Sequence, residues 1–392
     1  MRVAIVHDWL VASSGAEKVL GQIIECFPDA DLFSLVDFLD DRKLPRGKSV
    51  TTSFIQRLPF ARRHYRAYLP LMLRAVKQFD LSAYDLIITN SYGVAKGVPV
   101  GSAQTHVSYL HSPMPYAWDR QHQYLREANL MRGPKSWAAR TWLHYLRGWD
   151  TRSANSVDSL IASSHCGARR MMKIWRRDAA VIAPPVDVHE FELRTQKHDF
   201  YLAVSRMLPH ECIDLIVETF NATPQRKLVV IGDGPRMAQI RAKAGPNVTL
   251  LGHQPFEVLK DYLQRARALV FAAEEDADVV PLEAQACGTP VIAFGNGDAL
   301  DRVVPVGDPH PTGIYFASQT VESMRDALER FERLRVYISP AACRANAERF
   351  SAAVFRRAFM AEVTRTIAAA RPRQRLAELE RAEHDLAMQD SG

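Results

Sequence analysis

The chain has 392 residues, more than one small core needs and enough for two domains of about 150–200 residues each. Hydrophobic residues make up 47% and charged residues 24%, a globular composition that excludes disordered, collagenous and coiled-coil chains. The formal charge is only +6, and the five cysteines (Cys26, Cys166, Cys212, Cys287, Cys343) lack the spacing of a disulfide framework or a zinc site, so a reducing compartment is expected and no metal site is predicted.

In chain order, short apolar runs alternate with amphipathic stretches. Strands are predicted at Arg2–His7, Asp31–Val36, Leu86–Asn90, His106–Leu110 and Ser159–Ala162, then at Phe200–Val204, Leu228–Gly232, Val248–Leu251, Ala268–Ala272 and Val291–Phe294. Between them lie helical segments: Gly15–Cys26, Ser136–Arg152, Cys166–Trp175, Ile213–Asn221, Arg236–Ala242, Glu257–Ala266 and Val321–Phe331. This alternation implies an α/β protein with parallel sheets covered by helices on both faces. A Pro-containing polar stretch, APPVDVHEFELRTQKHD, precedes the strand FYLAVS and marks a seam. The expected division is a lobe at 1–185, a linker at 186–198, a second lobe at 199–371 and a charged tail at 372–392.

The N-terminal MRVAIVHDWL reads as a strand rather than a leader, and no window approaches 18 uninterrupted apolar residues, so neither export nor a membrane span is expected. Residues 42–79 nevertheless contain ten Lys or Arg and no Asp or Glu. Arg57, Arg62, Arg63, Arg66, Arg74 and Lys77 are interleaved there with Leu58, Phe60, Tyr65, Tyr68, Leu69, Leu71 and Met72. Such a mixture fits an anionic membrane surface, since polybasic attraction and shallow apolar insertion reinforce each other; the alternative is a solvated basic face. No helix-turn-helix, zinc or RNP signature accompanies the charge, so nucleic acid is not an expected partner.

Several strand ends carry candidate chemistry. Ser205-Arg206 follows Phe200–Val204, and Gly232-Asp233-Gly234-Pro235 follows Leu228–Ile231; such turns let backbone N–H groups approach a phosphate, although a GDGP turn is more often a tight connection. The run from Glu274 to Ala293 places Glu275 in a loop and Glu283 near a helix start, two carboxylates suited to accept hydrogen bonds from sugar or ribose hydroxyls. In the first lobe, Gly15 opens the first helix and His111 ends the strand His106–Leu110.

Together HDWLVASSGAEKVL, TSFIQRLPFARRHYRAYLPLM, YLHSPMPYAWD, APPVDV, VSRMLP, VIGDGP, LGH and EEDADVVPLEAQACGTPVIAFG resemble the GT-B-fold glycosyltransferases of family 4, within them the bacterial mannosyltransferase-like group of polysaccharide biosynthesis. The resemblance spans roughly Met1 to Arg371. It implies two Rossmann-like lobes facing a central cleft, retaining transfer from a nucleotide sugar and no catalytic metal or other cofactor. It further implies GDP-mannose as donor, a lipid-linked glycan as acceptor, and a cytoplasmic protein peripheral to the inner face of the plasma membrane. Matched by position, Glu283 holds ribose hydroxyls, Glu275 the donor sugar, Arg206 the diphosphate, Gly15 allows close approach of the donor, and His111 contacts the transferring sugar; Gly232 belongs to the donor site.

Three positions depart from the family pattern: Glu211 where Lys is usual, Asp278 where Gly is usual, and Ser14 in place of the first Gly of a pair. A unit charge about 4–5 Å from another contributes roughly 3–4 kcal/mol at an effective dielectric of about 20, so a Lys-to-Glu exchange facing a diphosphate changes binding by about twice that. Either the two carboxylates turn away and His210 or Arg206 carries the positive charge, or a divalent cation bridges them, or the site no longer binds a diphosphate well. The alternative function is therefore a degenerate member of the family acting as a binding or regulatory partner. An epimerase of the same fold fits the first-lobe motifs poorly.

Overall fold

The computed structural model describes the chain except residues 12–14, 40–46, 120, 128–129, 275–278 and 390–392, and describes only the backbone of 371–389. It divides into two compact units, Met1–Ala183 with Phe355–Gly392, and Pro184–Val354.

The first unit is built on a seven-stranded parallel sheet: β1 (Val3–His7), β2 (Asp31–Ser34), β3 (Val50–Thr52), β4 (Leu86–Ser91), β5 (Thr105–Leu110), β6 (Ser159–Ala162) and β7 (Ala180–Val181). Their spatial order is β3-β2-β1-β4-β5-β6-β7. The inner strands read as near-continuous apolar runs because both faces are covered. Ile5, Ile88, Val107 and Tyr109 pack with Leu20 and Ile24 of the helix Gly15–Cys26, while Ala4, Val6 and Ile87 face Phe33, Met72, Val76 and Trp149.

The second unit holds β8 (Tyr201–Val204), β9 (Leu228–Ile231), β10 (Val248–Gly252), β11 (Ala268–Phe271), β12 (Val291–Phe294) and β13 (Gly313–Phe316), in the parallel order β10-β9-β8-β11-β12-β13. Ala203, Val230, Val270 and Ile292 pack with Val217, Phe220 and Phe331; Leu202, Ile231, Leu269 and Val291 pack with Leu263, Leu282 and Ala286 on the other face. In both sheets the order reverses beside the first strand, between β1 and β4 and between β8 and β11. At such a switch point the flanking loops diverge and leave a crevice beyond the strand ends.

Ten strands were expected and found. The three added ones, β3, β7 and β13, have two to four residues each, too few for a readable period of two. The boundaries of the units also differ from the expected 185, 198 and 371. Residues 186–198 are not a free linker, because Lys197 Nζ donates to the carbonyls of Gln264 (2.8 Å) and Cys287 (2.9 Å) and to Thr289 Oγ1 (2.7 Å). Burial among these neutral acceptors pushes the Lys197 ammonium down to about 8. From Phe355 onward the chain groups with the first unit: Phe355, Phe359 and Val363 enter the core that contains Ile5 and Tyr109. The charged tail continues the helix Ala352–Gln389.

Candidate functional site

At the carboxyl edge of the first sheet, the adjacent strands β1, β4 and β5 deliver His7, Asn90 and His111. His111 is 5% exposed. Its ring stacks on Tyr92 with centroids 4.1 Å apart and planes 21° from parallel, and Tyr109 meets it edge-on at 5.2 Å. Nε2 lies 2.8 Å from Asn90 Oδ1, whereas the buried Nδ1 has no hydrogen-bond partner among the described residues. Burial, with a smaller contribution from His7, pushes the imidazole down to about 3 against the pull of Glu17, so the ring is neutral at physiological pH. Gly15 stands half-buried at the first position of its helix; Ser14 before it lies outside the described residues.

The same edge contains a carboxylate that the sequence did not single out for a role. Asp8, fully buried, accepts from the backbone N–H groups of Tyr92 (2.5 Å), Gly93 (2.7 Å), Val94 (2.9 Å) and Ala95 (2.6 Å) and from Ser91 Oγ (3.1 Å). It thereby satisfies the donors at the start of the short helix Ala95–Gly97 and fixes the loop that carries Tyr92. Asp8 is scaffold, and its saturated oxygens explain why.

In the second unit Arg206, Gly232 and the segment leading to Glu283 follow β8, β9 and β11, three adjacent strands with β8 in the middle. Arg206 does not face solvent with an uncompensated charge. Glu211, buried in the short helix Pro209–Glu211, folds back and accepts from Ser205 Oγ (2.6 Å), Arg206 N (2.7 Å) and Arg206 Nε (2.9 Å). Met207 (φ 54°) and Cys212 (φ 52°) bracket this turn in the left-handed region, a conformation that costs a non-glycine residue about 1–2 kcal/mol. The three hydrogen bonds to one carboxylate offset that strain. None of the three expected outcomes for Glu211 includes this arrangement, in which the carboxylate pairs with Arg206 itself.

Gly232 (φ 129°) and Gly234 (φ 159°) press on the same turn: a Cβ at Gly232 would come 1.7 Å from the Ser205 carbonyl oxygen, and one at Gly234 1.9 Å from that of Arg206. The glycines of GDGP are therefore required by loop-on-loop packing. Glu283 sits in the first turn of the helix Val280–Ala286 and is 3% exposed, in a helix buried on all sides. Glu275 and Asp278 lie outside the described residues. Among the described residues no cluster of three or more His, Cys, Asp or Glu side chains is placed to hold a metal ion.

The basic segment folds as short helices, including Ala61–His64 and Leu69–Ala75. Arg57, Arg62, Arg63, Arg66, Arg74 and Lys77 are exposed, together with Phe60 and Leu71, while Tyr65 and Met72 turn into the core. Among the described residues no helix is long and apolar enough to cross a membrane.

Two parallel Rossmann-like units with this strand order define the GT-B fold of glycosyltransferases. Solved structures of that fold align along the chain: sucrose-phosphate synthase from Thermosynechococcus elongatus, with TM-score 0.71 and 17% identity over 94% of this chain and 100% of that one, and Anabaena HepE in complex with UDP, with TM-score 0.65 and 15% identity over the same shares. Residues 199–333, within the second unit, match the family model described as Glycosyl transferases group 1. A GDP-mannose-dependent monoacylated alpha-(1-6)-phosphatidylinositol monomannoside mannosyltransferase from Corynebacterium glutamicum is 28% identical over 139 residues, 32% of this chain and 35% of that protein. The chain spans between 35% and 46% of the length of the curated relatives it matches.

Proposed function

We propose that the protein is a retaining glycosyltransferase that moves a hexose from a nucleotide sugar to a lipid-linked glycan in surface-polysaccharide assembly, with mannose from GDP-mannose as donor. The observation that carries this reading is the convergence of Arg206, Gly232 and the segment ending in Glu283 on the switch point of the second sheet, in the unit that matches the group 1 family. The mannose choice draws on the Corynebacterium relative.

In this reading Glu283 accepts from the ribose hydroxyls and Glu275 from the donor sugar, Arg206 and the Gly232 turn meet the diphosphate, and Gly15 allows the donor to approach the first helix. His111 contacts the transferring sugar. Catalysis is electrostatic, since the departing diphosphate gathers charge that fixed donors stabilise. The exposed cations of 57–77, with Phe60 and Leu71 between them, dock on anionic lipid at the inner face of the plasma membrane.

The test is transfer of labelled sugar from GDP-mannose or UDP-sugars into a membrane lipid extract. Transfer that disappears in Glu283→Ala and His111→Ala supports the reading; transfer indifferent to both contradicts the assigned roles. Flotation with liposomes checks the membrane surface, where binding that ignores lipid charge would refute the electrostatic part.

A second reading, a degenerate family member acting as a binding partner, is favoured by one observation: Glu211 occupies Arg206, the cation a diphosphate would use. Absence of nucleotide binding by the wild type, restored in Glu211→Lys with Asp278→Gly, would select it.

A further inference from the structure

We infer that Asn90 is a positioning residue that sets the tautomer of His111, holding the ring with its proton on Nε2 and its lone pair on Nδ1. The inference rests on the proposed contact between His111 and the transferring sugar and adds what kind of atom that contact recognises.

The carbonyl of Ala16, in the first turn of the helix Gly15–Cys26, can only accept a hydrogen bond, and the Asn90 side chain reaches it at 3.0 Å. The amide must therefore present Nδ2 to Ala16, which turns Oδ1 toward His111 Nε2 at 2.8 Å. An amide oxygen is an acceptor only, so Nε2 must carry the proton. The opposite tautomer would set the Nε2 lone pair against Oδ1 and bury an N–H at Nδ1 that has no acceptor among the described residues. Both consequences are unfavourable in a site this dry, and neither is relieved by rotation, because Tyr92 and Tyr109 hold the ring plane.

Asn90 is itself fixed at both ends. Its backbone belongs to β4, paired with His7 on one side and Tyr109 on the other, and its carbonyl takes a hydrogen bond from His7 Nδ1 at 3.0 Å. One residue thus ties the first turn of the glycine-led helix, the strand end at His7 and the His111 ring together.

The chemical consequence is selectivity. A neutral imidazole with the lone pair on Nδ1 accepts from a hydroxyl and repels a carbonyl or carboxylate oxygen. A sugar hydroxyl satisfies His111 Nδ1, a buried atom without a hydrogen-bond partner among the described residues; a ketone or carboxylate at that position does not.

Histidine ring nitrogen-15 spectra of the full-length protein at neutral pH test this, because protonated and bare ring nitrogens resonate far apart. The wild type is expected to show His111 with Nε2 protonated. Asn90→Leu is expected to shift it toward the other tautomer or a mixture and, where transfer is measured, to lower kcat about tenfold with KM for the donor changed much less. Asn90→Asp keeps an acceptor for Nε2–H and is expected to restore the wild-type tautomer. If Asn90→Leu does not fold, the wild-type and Asn90→Asp spectra still decide. A wild-type His111 protonated on Nδ1, or a folded Asn90→Leu with an unchanged tautomer, overturns the inference. A tautomer that follows Asn90 in a protein without any sugar transfer would uphold the inference and defeat the proposed function instead.

Discussion

The carboxyl edges of the two sheets share a strand order but hold their polar groups by opposite means. In the first unit, neutral groups hold Asp8 and His111: four backbone N–H groups and one hydroxyl saturate Asp8, a side-chain amide fixes His111, and one nitrogen of that ring is left as an acceptor. In the second unit, charge holds charge: Glu211 clamps Arg206 and ties down a turn with two left-handed non-glycine residues. A backbone cradle survives changes in salt and ligand, whereas an ion pair that is half exposed on its Arg206 side can be exchanged for a ligand's phosphate. The difference separates a preformed recognition atom from a cation that a ligand must win.

All six tryptophans, at positions 9, 118, 137, 142, 149 and 175, fall in the first unit, so their fluorescence reports its unfolding separately from the second. The largest expected effect is Asp8→Ala, which strands a set of buried N–H donors and should lower the stability of the first unit by about 5 kcal/mol in urea unfolding followed by tryptophan. A loss below about 1 kcal/mol would mean that the cradle is not what holds this edge.

Acid should act on the same unit. Burial pushes both His111 and His106 from 6.5 to about 3, so the unfolded chain binds more protons than the folded one between those values. The stability they contribute is complete above pH 6.5 and falls as the pH drops toward 3, by about 1.4 kcal/mol per pH unit for each ring. Tryptophan midpoints measured from pH 8 to pH 4 check this; a flat profile would contradict the burial of neutral rings.

Gly232→Ala sharpens the contrast from the other side. Its Cβ meets the Ser205 carbonyl and its φ is left-handed, so a loss of about 2–3 kcal/mol is expected in the second unit. Circular dichroism should register that loss while the tryptophan transition stays in place. The smallest effect is Glu211→Gln, which keeps an acceptor for Ser205 and Arg206 but removes the competing charge; affinity for GDP should rise about tenfold. Weaker binding would show that the clamp positions Arg206 for the ligand rather than competing with it.

Much of this layout is readable along the chain. The apolar β-branched runs announce ten of the thirteen strands among the described residues, and His111 and Arg206 declare themselves by standing where strands end. The clamp on Arg206 is not readable, because it depends on Met207 and Cys212 adopting a backbone conformation that their side chains disfavour. Asn90 escapes for a different reason: a polar residue closing a strand does not name its neighbours, and its partners Ala16 and His111 are set by the order β1-β4-β5. GDGP reads more readily as a tight connection than as a phosphate turn, and the approach of Gly232 to Ser205 reveals what the tight packing is against. Phe355 and Phe359 look like any amphipathic helix until they are found in the first unit's core.

The most direct test of the central claim, that the second unit binds a nucleotide-sugar donor despite Glu211, is titration calorimetry of the full chain with GDP-mannose, with and without magnesium. The account predicts micromolar binding that weakens strongly in Arg206→Ala and in Glu283→Ala. Absence of binding to GDP-mannose, GDP and UDP-sugars under every condition would contradict it and leave the chain as a partner protein built on a glycosyltransferase scaffold.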